Sequence, residues 1–279
     1  MSGSPAAPPA PMPDAQMPDV RTSAWAYLRV AFGVWAAEVQ KLRHDPFELV
    51  TRAIQPVLWL LLFGEVMAQV RGLAPGGIRY LDFLSAGILA QSVLFVAIFY
   101  GIAAIWERDL GILHRYLVSP APRSALVLGK ALAAGVRGLT QAAVVYVLAG
   151  LLHVAISLQP ARLVGMMLII VLGAGLFATF SLIVTCLVKT RERFMGIGQV
   201  ITMPIFFASN AIYPLEIMPT WLRAVARLNP LSYEVDALRA LMLRGGTSGF
   251  GLGTDFAVLA GVFAVLVVVA ARLYGRMGN

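Results

Sequence analysis

Six long, nearly unbroken apolar runs constrain this 279-residue chain more than any other feature: residues 53–70, 83–106, 132–152, 163–188, 194–212 and 256–273. A helix needs about 20 mostly apolar residues to cross a bilayer. The helices of a soluble protein carry an apolar stripe on one face, whereas these runs are apolar all round. Charged residues make up only 13% of the chain and mean hydropathy is +0.80, too little polar surface to coat a water-soluble globule of this size. The expected fold is therefore an all-α polytopic membrane protein with six transmembrane helices.

The net charge of +8 does not point to nucleic acid. A nucleic-acid module gathers its arginines on one face, and here the basic residues sit at the ends of the apolar runs. With the N-terminus inside, fifteen Lys and Arg fall in the inner segments and seven in the outer ones (Arg71, Arg79, Arg162, Arg223, Arg227, Arg239, Arg244). That asymmetry satisfies the positive-inside rule and places both termini in the cytoplasm. The single cysteine, Cys186, lies within an apolar run and reads as a small core residue.

Residues 1–20 are rich in Pro and Ala, lack the charged start and apolar centre of a secretory signal, and read as a disordered cytoplasmic tail. In residues 21–45, Trp25, Leu28, Phe32, Trp35, Val39 and Leu42 recur at spacings of three and four. This is the pattern of an amphipathic helix lying in the membrane interface, aromatic face down. Asp45, Pro46 and Glu48 then supply an N-cap, a first-turn proline and a first-turn acid, so the six-span domain is expected to occupy residues 46–279.

Two segments break the apolar pattern. Residues 107–130 (ERDLGILHRYLVSPAPRSALVLGK) are charged and proline-broken between two long apolar runs, the character of a cytoplasmic contact surface. Residues 213–253 are not charged enough for a free loop and not apolar enough to cross. They hold two short helical patterns, 220–228 and 231–243, the second capped by Asn229 and Pro230 and stopped by Gly245 and Gly246. Such a pair suits an outer re-entrant or surface hairpin.

Catalytic chemistry has no foothold. Gly129 and Lys130 lack the first glycine and the following Ser or Thr of a phosphate-binding loop, so the chain is not expected to hydrolyse ATP. His44, His114 and His153 lie in separate segments and form no metal site. Glu65 is an acid about twelve residues into the first run, where a buried carboxylate is costly and by default functional; the alternative is an anchor near the outer interface. Arg137, near the inner start of the third run, is expected to snorkel, and Gln141 one turn deeper is a candidate for lining a cavity.

Leu110, Leu113 and Leu117 give the first segment an apolar face, and its Glu107, Asp109, Gly111, Leu113, Leu117, Pro120 and Gly129-Lys130 resemble the permease subunits of ABC-2 type exporters. So do Tyr213-Pro214, Pro219, Leu228-Asn229-Pro230 and Asp236-Ala237-Leu238-Arg239 in the second, and the resemblance is greatest to the drug-resistance (daunorubicin-type) and nodulation-factor-type members. It implies a homodimer of six-span subunits in a bacterial inner membrane, joined to two copies of a separate ABC ATPase that carries the ATP and Mg, with no cofactor on this chain. It also implies that residues 107–123 act as a coupling helix against the ATPase and that residues 213–243 form the outer re-entrant hairpin. The function implied is export of a drug, lipid or lipid-linked glycan. An ion-driven secondary carrier or channel is the alternative, although the internal repeats and paired intramembrane charges of carriers are not visible.

Overall fold

The computed structural model describes residues 24–43, 51, 54–69, 78–110, 122–188 and 190–274. Among these the secondary structure is helical, and the only β pairing is an isolated antiparallel bridge between Ile156 and Leu243. The helices are α1 (Ala24–Arg43), α2 (Ile54–Met67), α3 (Tyr80–Phe99), α4 (Gly101–Asp109), α5 (Arg123–Leu151), α6 (Pro160–Leu187), α7 (Arg191–Phe207), α8 (Thr220–Leu228), α9 (Pro230–Met242) and α10 (Leu252–Tyr274).

Four apolar stretches are long enough to cross a membrane: 80–109, formed by α3 and α4 together, α5, α6 and α10. The described residues therefore do not reproduce six spans. The first expected run yields the shorter α2, with Pro56 in its first turn and a π-helical turn over Trp59–Gly64. Proline removes a backbone donor, which favours local departures from the i→i−4 ladder. The fifth yields α7, whose 17 residues begin in the charged Arg191-Glu192-Arg193 and stop at Phe207, where Ser209 and Asn210 turn the chain. The expected start of the first span at Asp45, Pro46 and Glu48 falls outside the described residues.

Helix α3 is the centre of the bundle, buried along nearly its whole length against α5, α6, α7 and α9. Its hydroxyls do not look for distant partners: Ser85 and Ser92 donate to the carbonyls of Asp82 and Ile88 in the preceding turn. At the junction with α4, Ser181 of α6 donates to the Ile98 carbonyl and Thr185 to that of Gly101 at 3.3 Å, so the break leaves its acceptors satisfied. By contrast α10 is mostly exposed, with Val265, Val268 and Val269 facing outward, the surface that lipid covers in a membrane protein.

Helix α1 packs along α5 through small residues. Ala31 and Val34 are buried against Gly129, where an added Cβ would come within 2.7 Å of the Ala31 carbonyl oxygen. Leu28 and Phe32 of the predicted stripe point away from the bundle, 56% and 62% exposed. The bulky face is thus left for the interface and the small face makes the helix contact, as close backbone approach requires.

Candidate functional site

Among the described residues the bundle has two polar ends, with a cavity between them. The first end is where α4, α5 and α7 meet. Glu107 Oε2 and Lys130 Nζ lie 2.5 Å apart, and both residues are about 95% or more buried. Neighbouring Asp109 accepts from Arg191 at 2.8 Å, and the Arg191 guanidinium sits 3.5 Å from the Trp106 ring centroid. Arg108 donates to the Val188 carbonyl at 3.3 Å. The last turn of α4 is therefore fastened to α5 by a dry ion pair and to the start of α7 by a wetter pair stacked on indole.

This arrangement divides the segment 107–130. Residues 107–109 end α4, and residues 123–130 are the first two turns of α5, which begins nine residues before the expected third run. Of the expected coupling residues, Glu107, Asp109 and Leu110 are described, with Leu110 67% exposed. Gly111, Leu113, Leu117 and Pro120 lie outside the described residues. Because α5 starts early, Arg137 is in the body of the helix rather than near its end, and its guanidinium lies 5.1 Å from the Tyr100 ring centroid.

Midway along the bundle, a cavity of about 330 Å³ is lined by Gln55 and Pro56 of α2, Ser92, Phe95 and Phe99 of α3, and Gln141 of α5. Gln141, a candidate for lining a cavity, is among its lining residues. Glu65 lies on the outward face of α2, two residues before that helix ends, and does not line this cavity.

The opposite end is closed by α8, α9 and their connections. Asn229 caps α9, its Oδ1 accepting from Leu231 N at 3.0 Å and its Nδ2 donating to the Ile205 carbonyl of α7 at 2.6 Å, with Pro230 in the first turn. Tyr213 donates to the Phe207 carbonyl, and Arg223 clasps the carbonyls of Leu215, Glu216 and Met218, which wraps the turn containing Pro214 and Pro219 around the start of α8. Asp236 accepts from Ser248 at 2.8 Å and from Phe250 N at 2.9 Å, and Ser248 is equally close to Asp255, so loop 244–251 is pinned to both α9 and α10. Arg239 lies 3.8 Å from the Phe83 ring centroid and donates to the Asn210 carbonyl at 3.0 Å. On α8, Trp221, Val225 and Leu228 form an exposed apolar face.

One residue of this end was not singled out from the sequence. Glu234 is fully buried, neither carboxyl oxygen has a hydrogen-bond partner among the described residues, and it rests on Gly173 of α6, where a Cβ would lie 2.4 Å from the carboxyl. Burial pushes its carboxyl well above the usual range, so the neutral acid is the folded form. The available signal was an acid at the centre of an otherwise apolar helical face. A raised folded value means that the unfolded chain loses its proton first. The stability carried by the neutral acid is present below the unfolded value, about pH 4.3, and erodes as pH climbs towards the folded value. Glu234→Gln should abolish that erosion, giving an unfolding midpoint in detergent that is flatter with pH than the parent's; superimposable pH profiles would refute the neutral assignment.

Comparison with known proteins agrees with this helical layout. Residues 31–243 match the family model described as ABC-2 type transporter. The chain is 30% identical over 209 residues to a transport permease named ycf38 from Cyanophora paradoxa, covering 72% of this chain and 70% of that protein. It is 26% identical over 242 residues to the daunorubicin resistance ABC transporter permease protein DrrB1 of Streptomyces coeruleorubidus, covering 86% and 84%. Nodulation protein J of Rhizobium leguminosarum bv. trifolii is 28% identical over 197 residues, covering 70% and 74%.

Proposed function

The chain belongs to the ABC-2 type transporter family and is a multi-pass transport permease, and from that membership we propose that it exports a hydrophobic or amphipathic molecule using ATP hydrolysed by a separate ABC ATPase. The observation that carries this reading is the fastening of the last turn of α4 to α5 and α7 through Glu107–Lys130 and Asp109–Arg191. A segment that receives a push from a partner must be held rigidly to the helices it moves. Both flanks of residues 111–121 are held in this way.

In this reading residues 107–123 are the coupling segment, two ATPase copies carry ATP and Mg, and two copies of this chain form the pathway in a bacterial inner membrane. Residues 1–20 are a tail, 21–45 an interfacial helix, and 46–279 the permease domain with six membrane passes, α2 and α7 included. Both termini are cytoplasmic, and residues 213–243 form the re-entrant hairpin at the outer end. Gln141 lines the pathway, and Glu65 on the outer face of α2 meets lipid or the second copy.

An ion-driven carrier is the second reading, and the buried neutral Glu234 is what favours it, since such a group can hold a proton. One experiment separates the two. In vesicles containing the protein and its partner ABC ATPase, ATP should drive efflux and a pH gradient alone should not, while the purified chain alone hydrolyses no ATP. Leu113→Asp or Leu117→Asp should abolish ATP-driven transport at equal membrane insertion, by spoiling an apolar contact with the ATPase. Efflux on a pH gradient without ATPase, or full activity in both variants, would overturn the proposal.

A further inference from the structure

The hairpin end encloses a cavity of about 820 Å³ between α3, α8, α9 and loop 244–250, within the size range of small-molecule sites. Four arginines line it, Arg223, Arg227, Arg239 and Arg244, against three acids, Asp82, Glu216 and Asp236. Two of the acids are already engaged within the protein: Asp82 accepts from Ala155 N at 3.3 Å, and Asp236 holds loop 244–251. With four cations against three anions, the lining keeps one positive charge in excess.

Two buried polar atoms of the lining have no partner among the described residues: Arg239 Nε, a donor, and Asn210 Oδ1, an acceptor on a residue 3% exposed. Such atoms are rare in folded proteins and costly to leave unmet. Burial lowers Arg239 to about 10, with Asp236 and Glu216 opposing the shift, and the side chain stays cationic at neutral pH. The rings of Tyr233 and Phe250, 4.7 Å apart, add an aromatic wall.

We propose that this cavity binds an anionic, hydroxyl-bearing headgroup, a phosphate or carboxylate beside hydroxyls, whose anion meets Arg239 and Arg227 and whose hydroxyl donates to Asn210. A guanidinium matches such oxyanions in shape as well as charge, and the Asn210 acceptor requires a donor that a bare anion does not bring. That the headgroup is part of the exported molecule rests on the export reading; that the cavity binds it does not.

The test is calorimetric titration of glucose 6-phosphate into the full chain in phosphatidylcholine nanodiscs, without ATPase. Saturable binding is expected, with glucose binding undetectably and sulfate, which carries no donor at neutral pH, more weakly. Asn210→Ala, which keeps the backbone acceptor of Arg239, should weaken binding about five-fold, the size of a lost neutral hydrogen bond, and Arg227→Gln at the exposed rim about tenfold, the size of a lost charge-assisted contact. If phosphatidylglycerol in the disc competes with the probe, the natural headgroup is a lipid's; if it does not, the ligand is soluble. Equal affinity in parent and variants, or no saturable binding in folded protein, would overturn the site. ATP-driven efflux without such binding would leave the export reading standing, and binding without efflux would do the reverse.

Discussion

Lys130→Met is expected to destabilise the protein by about 3–5 kcal/mol, because it removes the cation that lies 2.5 Å from the buried Glu107 carboxylate. The charge then has to be dehydrated without the cation that offsets it, and Glu107→Leu should be comparably harmful for the mirror reason. The double variant Glu107→Leu/Lys130→Met should recover much of the loss, since two apolar side chains of similar volume fill the same space with no charge to bury. Denaturant unfolding in detergent micelles measures all three. Additive losses in the double variant would show that the two residues do not act as a pair. Its transport is informative too: with stability restored but ATP-driven efflux lost, the pair would matter for transmitting motion between α4 and α5 and not only for holding them.

Gly87→Ala should be the next most damaging change. A Cβ at Gly87 would lie 2.1 Å from the Ala211 carbonyl oxygen and 2.8 Å from its carbonyl carbon, and backbone does not yield as a side-chain tip does. The strap carrying Ala211 is tied down on both sides, by the Tyr80 hydroxyl on the Ile212 carbonyl at 2.9 Å and by Arg239 on that of Asn210. Moving it aside loosens those bonds as well, so the cost is placed at the upper part of the about 1–3 kcal/mol typical of overpacking. Gly196→Ala supplies the control: nothing lies within 4 Å of its added Cβ. There alanine should be neutral or stabilise by about 0.5–1 kcal/mol through helix propensity. Equal effects at the two glycines would contradict the packing at the strap.

The short helices at the hairpin end were legible because their signals are local. Asn229 and Pro230 sit adjacent in sequence, and the cap they form is the one observed, on a helix over Pro230–Met242. The pattern at 220–228 likewise returned as α8 with the same bounds. The amphipathic segment near the N-terminus became α1, but the stripe chosen from its large residues was not the packed face, because helix contact selected Ala31 and Val34 for their small size. Span starts were read less well. Apolar runs mark what lipid must cover, whereas a helix can begin earlier in charged sequence, as α5 does at Arg123.

By itself, then, the sequence determined a polytopic α-helical membrane protein of the ABC-2 kind, the two polar interruptions in it, and the local helices and caps within them. The apolar helices, the interruptions and the caps follow from composition and from spacings of a few residues, which act before any tertiary contact exists, whereas the ABC-2 kinship rests on the resemblance of particular residues. Only the tertiary structure decided that Glu107 meets Lys130 and Asp109 meets Arg191, that Glu65 faces outward while Glu234 is buried on Gly173, and that Arg239 and Asn210 share one cavity. Those pairs are separated by 23 to 82 residues in sequence, spacings that no helical period predicts. Their meeting depends on which helix faces turn together, and that is chosen by the packing of the whole bundle.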